Sequence, residues 1–149
     1  MLSTLHKNDA PSAITRLLDL KVPHFLVLST LVGVVAQRLV RVNCPHCSAE
    51  YVPDVEEAAV LGPELDRRTL RRGAGCLSCR QTGFAGRDGV FQIMPISERI
   101  RGLVARQSAG PEIVEAAKKE GMRTLHEAAL EKVMAGVTTV SEMIRVTGK

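Results

Sequence analysis

The sequence is poor in aromatic residues and has no tryptophan. Its 149 residues include one tyrosine and three phenylalanines, so aliphatic side chains must supply most of the hydrophobic core. With 45% hydrophobic and 24% charged residues, the composition is typical of a globular protein rather than a disordered one. A chain of this length can form one core and is too short for two full-sized domains.

Long uncharged runs are also missing. The longest, Val22 to Gln37, is shorter than the roughly 20 apolar residues of a transmembrane helix, and it contains Pro23 and His24. We expect no signal peptide either, because charged residues precede this block and no small-residue cleavage site follows it. These features predict a cytoplasmic protein without a transmembrane segment. In that reducing compartment, closely spaced cysteines favour metal binding over disulfides.

A phosphate-binding loop of the Walker type, G-x-x-x-x-G-K-[ST], does not occur in the sequence. Gly83, Gly86 and Gly89 lie close together, and we interpret them as turns rather than as a phosphate cradle. The sequence offers no defensible Ser-His-Asp arrangement and no convincing pair of acid–base carboxylates. We therefore expect no nucleotide hydrolysis from these residues alone.

The strongest signal is a set of four cysteines with the spacing C-x2-C-x28-C-x2-C, namely Cys44, Cys47, Cys76 and Cys79. Each Cys-x-x-Cys turn can direct two thiolates at one Zn²⁺ ion, and two turns complete a tetrahedron. Four protein ligands leave no open position, so the pattern predicts a structural zinc site. Unpaired structural cysteines and disulfides are the alternatives. His46 is expected to be exposed or to donate a hydrogen bond near the ligands.

Four arginines, Arg67, Arg68, Arg71 and Arg72, share one face if residues 64–72 form a helix. Such a face could bind an acidic partner or phosphates, although a solvated basic face is the more ordinary interpretation. The net charge of +4 is weak evidence for nucleic-acid binding. The sequence also has few aromatic residues on which bases could stack.

Two short strands flank the cysteine region. Residues 37–42 alternate apolar and charged side chains, and residues 89–94 form a second strand-like segment after the last cysteine. If these strands pair in an antiparallel manner, their ends bring the two cysteine pairs together. We therefore predict a metal-binding excursion between neighbouring strands.

The remaining segments are predicted to be mostly helical. Asn8 or Asp9 can cap a first helix, and residues 25–36 form an apolar block whose length favours a buried helix. Asp54 can cap a short helix that ends at Gly62. Further caps are expected in the helical region after residue 96, at Ser97, Thr124 and Thr139, and the last two have capping-box spacing to a glutamate.

Four segments in sequence order resemble the C-terminal portion of the type II secretion and type IV pilus assembly ATPases. LSTLHKNDAPSAITRLLDL resembles the histidine box and following helix of that family, and GVVAQRLVRVNCPHC resembles the strand that enters its tetracysteine region. GCLSCRQTGFAGRDGVF resembles the return from that region, and EGMRTLHEAALEKVMAGVTTVSEMIRVT resembles the C-terminal helical segment. The resemblance covers almost the whole chain.

The resemblance implies an α/β remnant, the C-terminal end of a RecA-like P-loop ATPase core. Residues 1–42 would belong to that core, residues 43–88 would form an inserted tetracysteine zinc-binding module, and residues 89–149 would be a return strand and a helical C-terminal segment. By the same resemblance, His6 lies near the terminal phosphate of the nucleotide. The resemblance also implies that the four cysteines bind zinc.

The family consists of hexameric cytoplasmic motors at the inner face of the inner membrane. They use ATP and Mg²⁺ and work with membrane-embedded platform proteins to drive secretion or pilus assembly. The N-terminal domain and the Walker A, acidic-box and Walker B segments of the family do not occur in these 149 residues. We therefore expect a C-terminal fragment that is inactive alone, derived from a gene remnant or from a misassigned start at Met1.

Individual positions also depart from the family pattern. Lys7 stands where threonine is usual, Asp88 where threonine is frequent and Gln92 where glutamate is common. Two alternatives stay open. One is a standalone zinc-ribbon module that binds protein or nucleic acid. The other is a metal-stabilised subunit that joins the hexamer of an intact motor.

Overall fold

The computed structural model describes residues 3–5, 9–62 and 68–148, which form a mixed α/β structure. The α-helices are α1 (Ala10–Asp19), α2 (His24–Thr30), α3 (Val55–Leu61), α4 (Glu98–Ala105), α5 (Gly110–Lys119), α6 (Leu125–Met134) and α7 (Val140–Thr147). The strands are β1 (Gly33–Asn43), β2 (Ser48–Tyr51), β3 (Leu70–Gly73) and β4 (Phe84–Pro95), and a 3₁₀ turn spans Leu77–Cys79.

The strands form two small sheets. β1 and β4 are hydrogen-bonded neighbours, which confirms the predicted pairing of the strands that flank the cysteine region. β2 and β3 pair in an antiparallel manner, with Ser48 opposite Gly73 and Tyr51 opposite Leu70. The second sheet therefore lies within the excursion that carries the cysteines.

The chain divides into two compact units, each built from two stretches of sequence. The first unit comprises residues 1–37 and 91–124. In it, α1 packs against α2 and α5, and α4 packs against α2 and α5. Its core is aliphatic, as the composition predicts, and includes Ala10, Ile14, Met94, Ile100, Val104, Ile113, Ala116 and Ala117.

The second unit comprises residues 38–90 and 125–149 and contains all four cysteines. Its helix α7 packs against α6 and α3, and α6 also contacts β3. The fully buried side chains of this unit include Val40, Leu70, Val90, Val133, Val140 and Met143. The C-terminal helices therefore share a core with the segment that holds the cysteines.

Two predicted helices are wrong in part. The apolar block 25–36 is helical only as far as Thr30, and β1 begins at Gly33. A continuous apolar run has no periodicity that separates a buried helix from a buried strand, and the β-branched Val34 and Val35 favour the strand. The predicted helix over 64–72 is also wrong where the structure describes it, because residues 70–73 form β3.

Local helix signals were predicted more accurately. The carboxylate of Asp9 accepts a hydrogen bond from the N–H of Ser12 at the start of α1, and Asp54 caps α3 in the same way. Ser97 caps α4 and Thr139 caps α7, while Gly62 follows the last residue of α3. A cap satisfies backbone donors within one turn, so it can be predicted from residues that are close together in the sequence.

Within the described part of the chain, no helix is both long and apolar enough to cross a membrane.

Candidate metal centre

The four cysteine thiols converge on one point, and all four Sγ atoms lie within 4.8 Å of one another. The Sγ–Sγ distances are 3.9 Å for Cys44 and Cys76, 3.8 Å for Cys47 and Cys79, and 3.7 Å for Cys76 and Cys79. A metal about 2.3 Å from each of four thiolates places the sulfurs of a tetrahedron ~3.8 Å apart. The cysteines are free of disulfides, and their spacing fits a tetrahedral ion.

Two tight turns place the thiols. The first follows β1, where the N–H of Cys47 donates to the carbonyl of Cys44 at 3.3 Å. The second is the 3₁₀ turn Leu77–Cys79, which is followed by Arg80 and Gln81 with positive φ angles of 54° and 65°. This left-handed pair reverses the chain directly after Cys79 and leads it toward β4.

Backbone N–H groups point at two of the sulfurs. Gly75 donates to Cys47 Sγ at 3.3 Å, while Cys76 and Gly83 donate to Cys79 Sγ at 3.2 and 3.3 Å. Burial acts to raise the pKa of the Cys79 thiol, but these two donors, together with hydrogen bonds from the Cys76 and Cys47 thiols, outweigh it and lower that pKa to about 6. Burial raises the pKa of Cys47, and the N–H of Gly75 offsets only part of that effect. Because thiolates are the ligands of metals, binding of an ion would release protons from the thiols.

The chain matches one family along nearly all of its length. The family model described as "Type II/IV secretion system protein" covers residues 1–145. The chain belongs to this family. It is 42% identical over 148 residues to the type II secretion system protein E of Pseudomonas aeruginosa, 40% over 149 residues to the type IV pilus assembly ATPase TfpB of Acinetobacter baylyi and 39% over 150 residues to the type IV pilus assembly ATPase PilB of Thermus thermophilus.

These alignments cover 98–99% of this chain but only 29%, 26% and 17% of the three relatives. This member of the type II/IV secretion system family therefore corresponds to less than a third of the length of those relatives.

The other predicted site residues of this secretion-system protein are placed as follows. His6 and Arg67 lie outside the described residues. His46 is exposed in the first cysteine turn, which agrees with one of the two roles expected for it. Arg68, also exposed, precedes β3.

The single arginine face predicted from a helix is wrong. Arg71 and Arg72 are neighbours on β3, and successive side chains of a strand point to opposite faces. The guanidinium of Arg71 lies 3.3 Å from the Glu50 carboxylate and also donates to the carbonyl of Ser48. The guanidinium of Arg72 lies 4.4 Å from the centre of the Tyr51 ring. Both arginines are thus engaged within the β2–β3 sheet.

Asn43, the residue directly before Cys44, has a structural role that was not predicted from the sequence. Its side-chain amide donates to the carbonyls of Arg71 and Gly136, each at 2.9 Å, and to that of Thr138 at 3.4 Å. Its backbone N–H donates to the carbonyl of Val137 at 2.8 Å. Asn43 therefore joins the end of β1 to β3 and to the α6–α7 loop. An asparagine at the end of a β-rich run is unfavourable for a strand and was the available signal.

Glu142 was predicted only as the second half of a capping box, and its observed role is different. Its carboxylate is almost fully buried. It accepts hydrogen bonds from the backbone N–H of Arg41 at 2.9 Å and from the Arg41 guanidinium at 2.8 Å. It also accepts two hydrogen bonds from the Arg145 guanidinium, both at 2.8 Å. The Arg145 hydrogen bonds, together with those from Arg41, lower the Glu142 pKa to about 2 against the opposing effect of burial. The carboxylate thereby connects α7 to β1, close to the first cysteine pair.

Proposed function

We propose that these residues are the C-terminal portion of a hexameric motor ATPase that powers type II secretion or type IV pilus assembly. The observation that carries the proposal is the family match over residues 1–145, together with relatives named for both kinds of system. Residues 1–42 would then be the end of a RecA-like core, residues 43–88 the metal module, and residues 89–149 the return strand and helical segment.

The chemistry of the motor would belong to a longer protein. Binding of ATP and Mg²⁺, assembly of the hexamer and contact with platform proteins at the cytoplasmic face of the inner membrane are expected of that protein. We expect these 149 residues alone to turn over no ATP, since no Walker A sequence occurs in them. In the assembled motor, His6 would lie near the terminal phosphate of the nucleotide.

We further propose that Cys44, Cys47, Cys76 and Cys79 bind one structural Zn²⁺ ion. The tetrahedral spacing of the sulfurs supports this, and so do the N–H groups aimed at them, which favour thiolates. Four thiolates fill the coordination sphere of zinc, so the ion would stabilise the fold rather than carry out a reaction. Binding of zinc to such a site is coupled to folding of the segment that supplies the ligands.

The metal proposal is tested by the zinc content of the purified full chain, measured by elemental analysis. The wild type should carry one equivalent of zinc and Cys76→Ser should lose it. Ser78→Ala is the matched control, because Ser78 lies in the same turn between the two ligands, and it should keep the metal. A Cys76→Ser protein that retained a full equivalent of zinc would contradict the assignment.

The motor proposal is tested in a chimera. These residues replace the matching segment of the Pseudomonas aeruginosa relative, and ATP turnover and secretion are measured in cells and on the purified hexamer. We expect an active chimera in which His6→Ala lowers ATP turnover, whereas His24→Ala, at an exposed position of α2, does not. A folded chimera that neither assembles nor turns over ATP would refute the proposal. Salt-dependent binding of DNA by the chain alone would instead support the zinc-ribbon alternative.

A further inference from the structure

Two glycine backbones contact each other beside the cysteine cluster. A Cβ atom added to Gly73 would lie 2.0 Å from the carbonyl oxygen of Gly83 and 2.6 Å from its Cα atom. A Cβ added to Gly83 would lie 2.5 Å from the carbonyl oxygen of Gly73. The obstructing atoms are backbone on both sides, so rotation of a side chain cannot relieve the overlap.

The contact lies where the two cysteine turns are joined. The N–H of Gly83 donates a hydrogen bond to Cys79 Sγ at 3.3 Å, and its carbonyl accepts one from the N–H of Cys44 at 2.9 Å. One residue therefore bonds to the sulfur of a cysteine in the second pair and to the backbone of a cysteine in the first.

Gly73 lies on the other side of the same contact. It is the last residue of β3 and pairs with Ser48, which directly follows Cys47. The next residue, Ala74, donates its N–H to the carbonyl of Cys47 at 2.9 Å. Any displacement of Gly73 away from Gly83 would therefore move Cys47 away from Cys44 and Cys79.

We propose that the Gly73–Gly83 contact sets the separation of the two cysteine turns and thereby determines how tightly and in what geometry the cluster binds its metal. The inference rests on the proposed zinc site. The ligand atoms of the site are the four cysteine sulfurs, so both glycines are positioning residues. A methyl group at Gly73 pushes β3 away from Gly83 by more than the tolerance of a tetrahedral site, in which metal–sulfur distances vary by about 0.2 Å.

The two positions require glycine for different physical reasons. Gly83 has a φ angle of 75°, which favours glycine irrespective of space. Gly73 is absent from the residues with positive φ, so its requirement for glycine comes from the contact. Gly86, a few residues along, has a φ angle of 82°, and a Cβ atom added to it would meet no atom within 4 Å. Gly86→Ala is therefore a control for backbone strain without the contact.

The test uses the full chain with Gly73→Ala, Gly83→Ala and Gly86→Ala. Zinc affinity is measured by competition with a chromophoric chelator, and site geometry by the visible absorption bands of bound Co²⁺. We expect Gly73→Ala and Gly83→Ala to bind zinc about 10- to 100-fold more weakly, the range seen when groups that orient metal ligands are lost, and to shift the Co²⁺ bands away from those of a regular tetrahedron. Gly86→Ala should bind both metals as the wild type does.

A Gly73→Ala protein with wild-type zinc affinity and an unchanged Co²⁺ spectrum would overturn the inference while leaving the zinc site intact. Failure of the wild type and of Gly86→Ala to bind zinc would instead overturn the proposed site itself. If Gly73→Ala does not fold, the proposal is tested instead by amide exchange of the wild type. Removal of the metal should then speed exchange at the N–H of Gly83 and Cys44, and equal exchange rates with and without metal would refute the proposal.

Discussion

Glu142→Gln is the substitution that most directly tests how the second unit is held together. Glutamine has nearly the shape of glutamate but no charge, and it presents an NH₂ group where one carboxylate oxygen accepted hydrogen bonds. The single remaining oxygen cannot serve the backbone N–H of Arg41 and both guanidinium groups as the carboxylate does. At least one of these donors must therefore lose its partner.

The expected cost follows from the exposure of the partners. Breaking a buried ion pair costs about 3–5 kcal/mol when the charge left behind is itself buried. Here the side chains of Arg41 and Arg145 are 49% and 54% exposed, whereas that of Glu142 is 1% exposed. Water can solvate both guanidinium groups after the substitution, so we expect a loss of about 2 kcal/mol in the free energy of unfolding, the range of hydrogen bonds to charged groups.

The effect should also depend on pH. The Glu142 pKa is lowered from 4.5 to about 2 in the folded protein, first by Arg145 and then by Arg41. A carboxyl group with a lowered pKa stabilises the fold fully above its unfolded value and loses that contribution as the pH falls toward its folded value. The difference in stability between wild type and variant should therefore be constant from pH 7 to about pH 5 and shrink from pH 4.5 toward pH 2.

The assay is urea unfolding followed by far-UV circular dichroism, with Glu115→Gln on α5 as the control for loss of one negative charge. Glu115 is exposed, and its substitution should change stability by less than about 0.5 kcal/mol. Any bound metal dissociates from both proteins over the same acid range, so the difference between them isolates the carboxylate. A Glu142→Gln protein as stable as Glu115→Gln at pH 7 would refute the reasoning.

Two further substitutions test contacts that are remote in sequence. Asn43→Ala should lower stability by about 2 kcal/mol, because it removes the side-chain donor shared by three carbonyls, of which that of Thr138 lies in a buried hydrogen bond. It should also speed amide exchange in the loop at Val137, and unchanged exchange there would show that the asparagine does not hold the loop. Gln92→Leu should cost about 1–3 kcal/mol in urea unfolding, since the buried N–H of Ala10 loses its acceptor at 3.0 Å. Gln37→Leu, at an exposed position of β1, should be nearly neutral, and equal losses for the two glutamine variants would contradict the assigned role of Gln92.

The features that the sequence predicted well depend on local chemistry. Helix caps such as Asp54 and Ser97 act within one turn, and their hydrogen bonds are present as expected. The cysteine cluster was predictable because ligand type and spacing constrain a tetrahedral site more strongly than any propensity does. Pairing of the flanking strands then followed from the need to bring the two turns together.

The features that the sequence did not predict depend on contacts between distant positions. Glu142 has the spacing of a capping box, yet Arg41, about a hundred residues earlier, recruits its carboxylate. Arg71 and Arg72 fit the periodicity of a helix, but pairing with β2 places them on a strand. In each case tertiary structure overrides a local preference that is itself worth only about 1 kcal/mol or less.

The order of the segments along the chain has a consequence for how the second unit can be made. Its cysteine-bearing part ends at Val90, while α6 and α7 come from residues 125–149. A ribosome therefore releases all four cysteines well before the helices that pack with them, and the α6–α7 loop that Asn43 holds is synthesised only after α6. A protein fragment limited to the cysteine region would lack these partners. To express the second unit by itself, its two stretches of sequence would have to be joined by a linker.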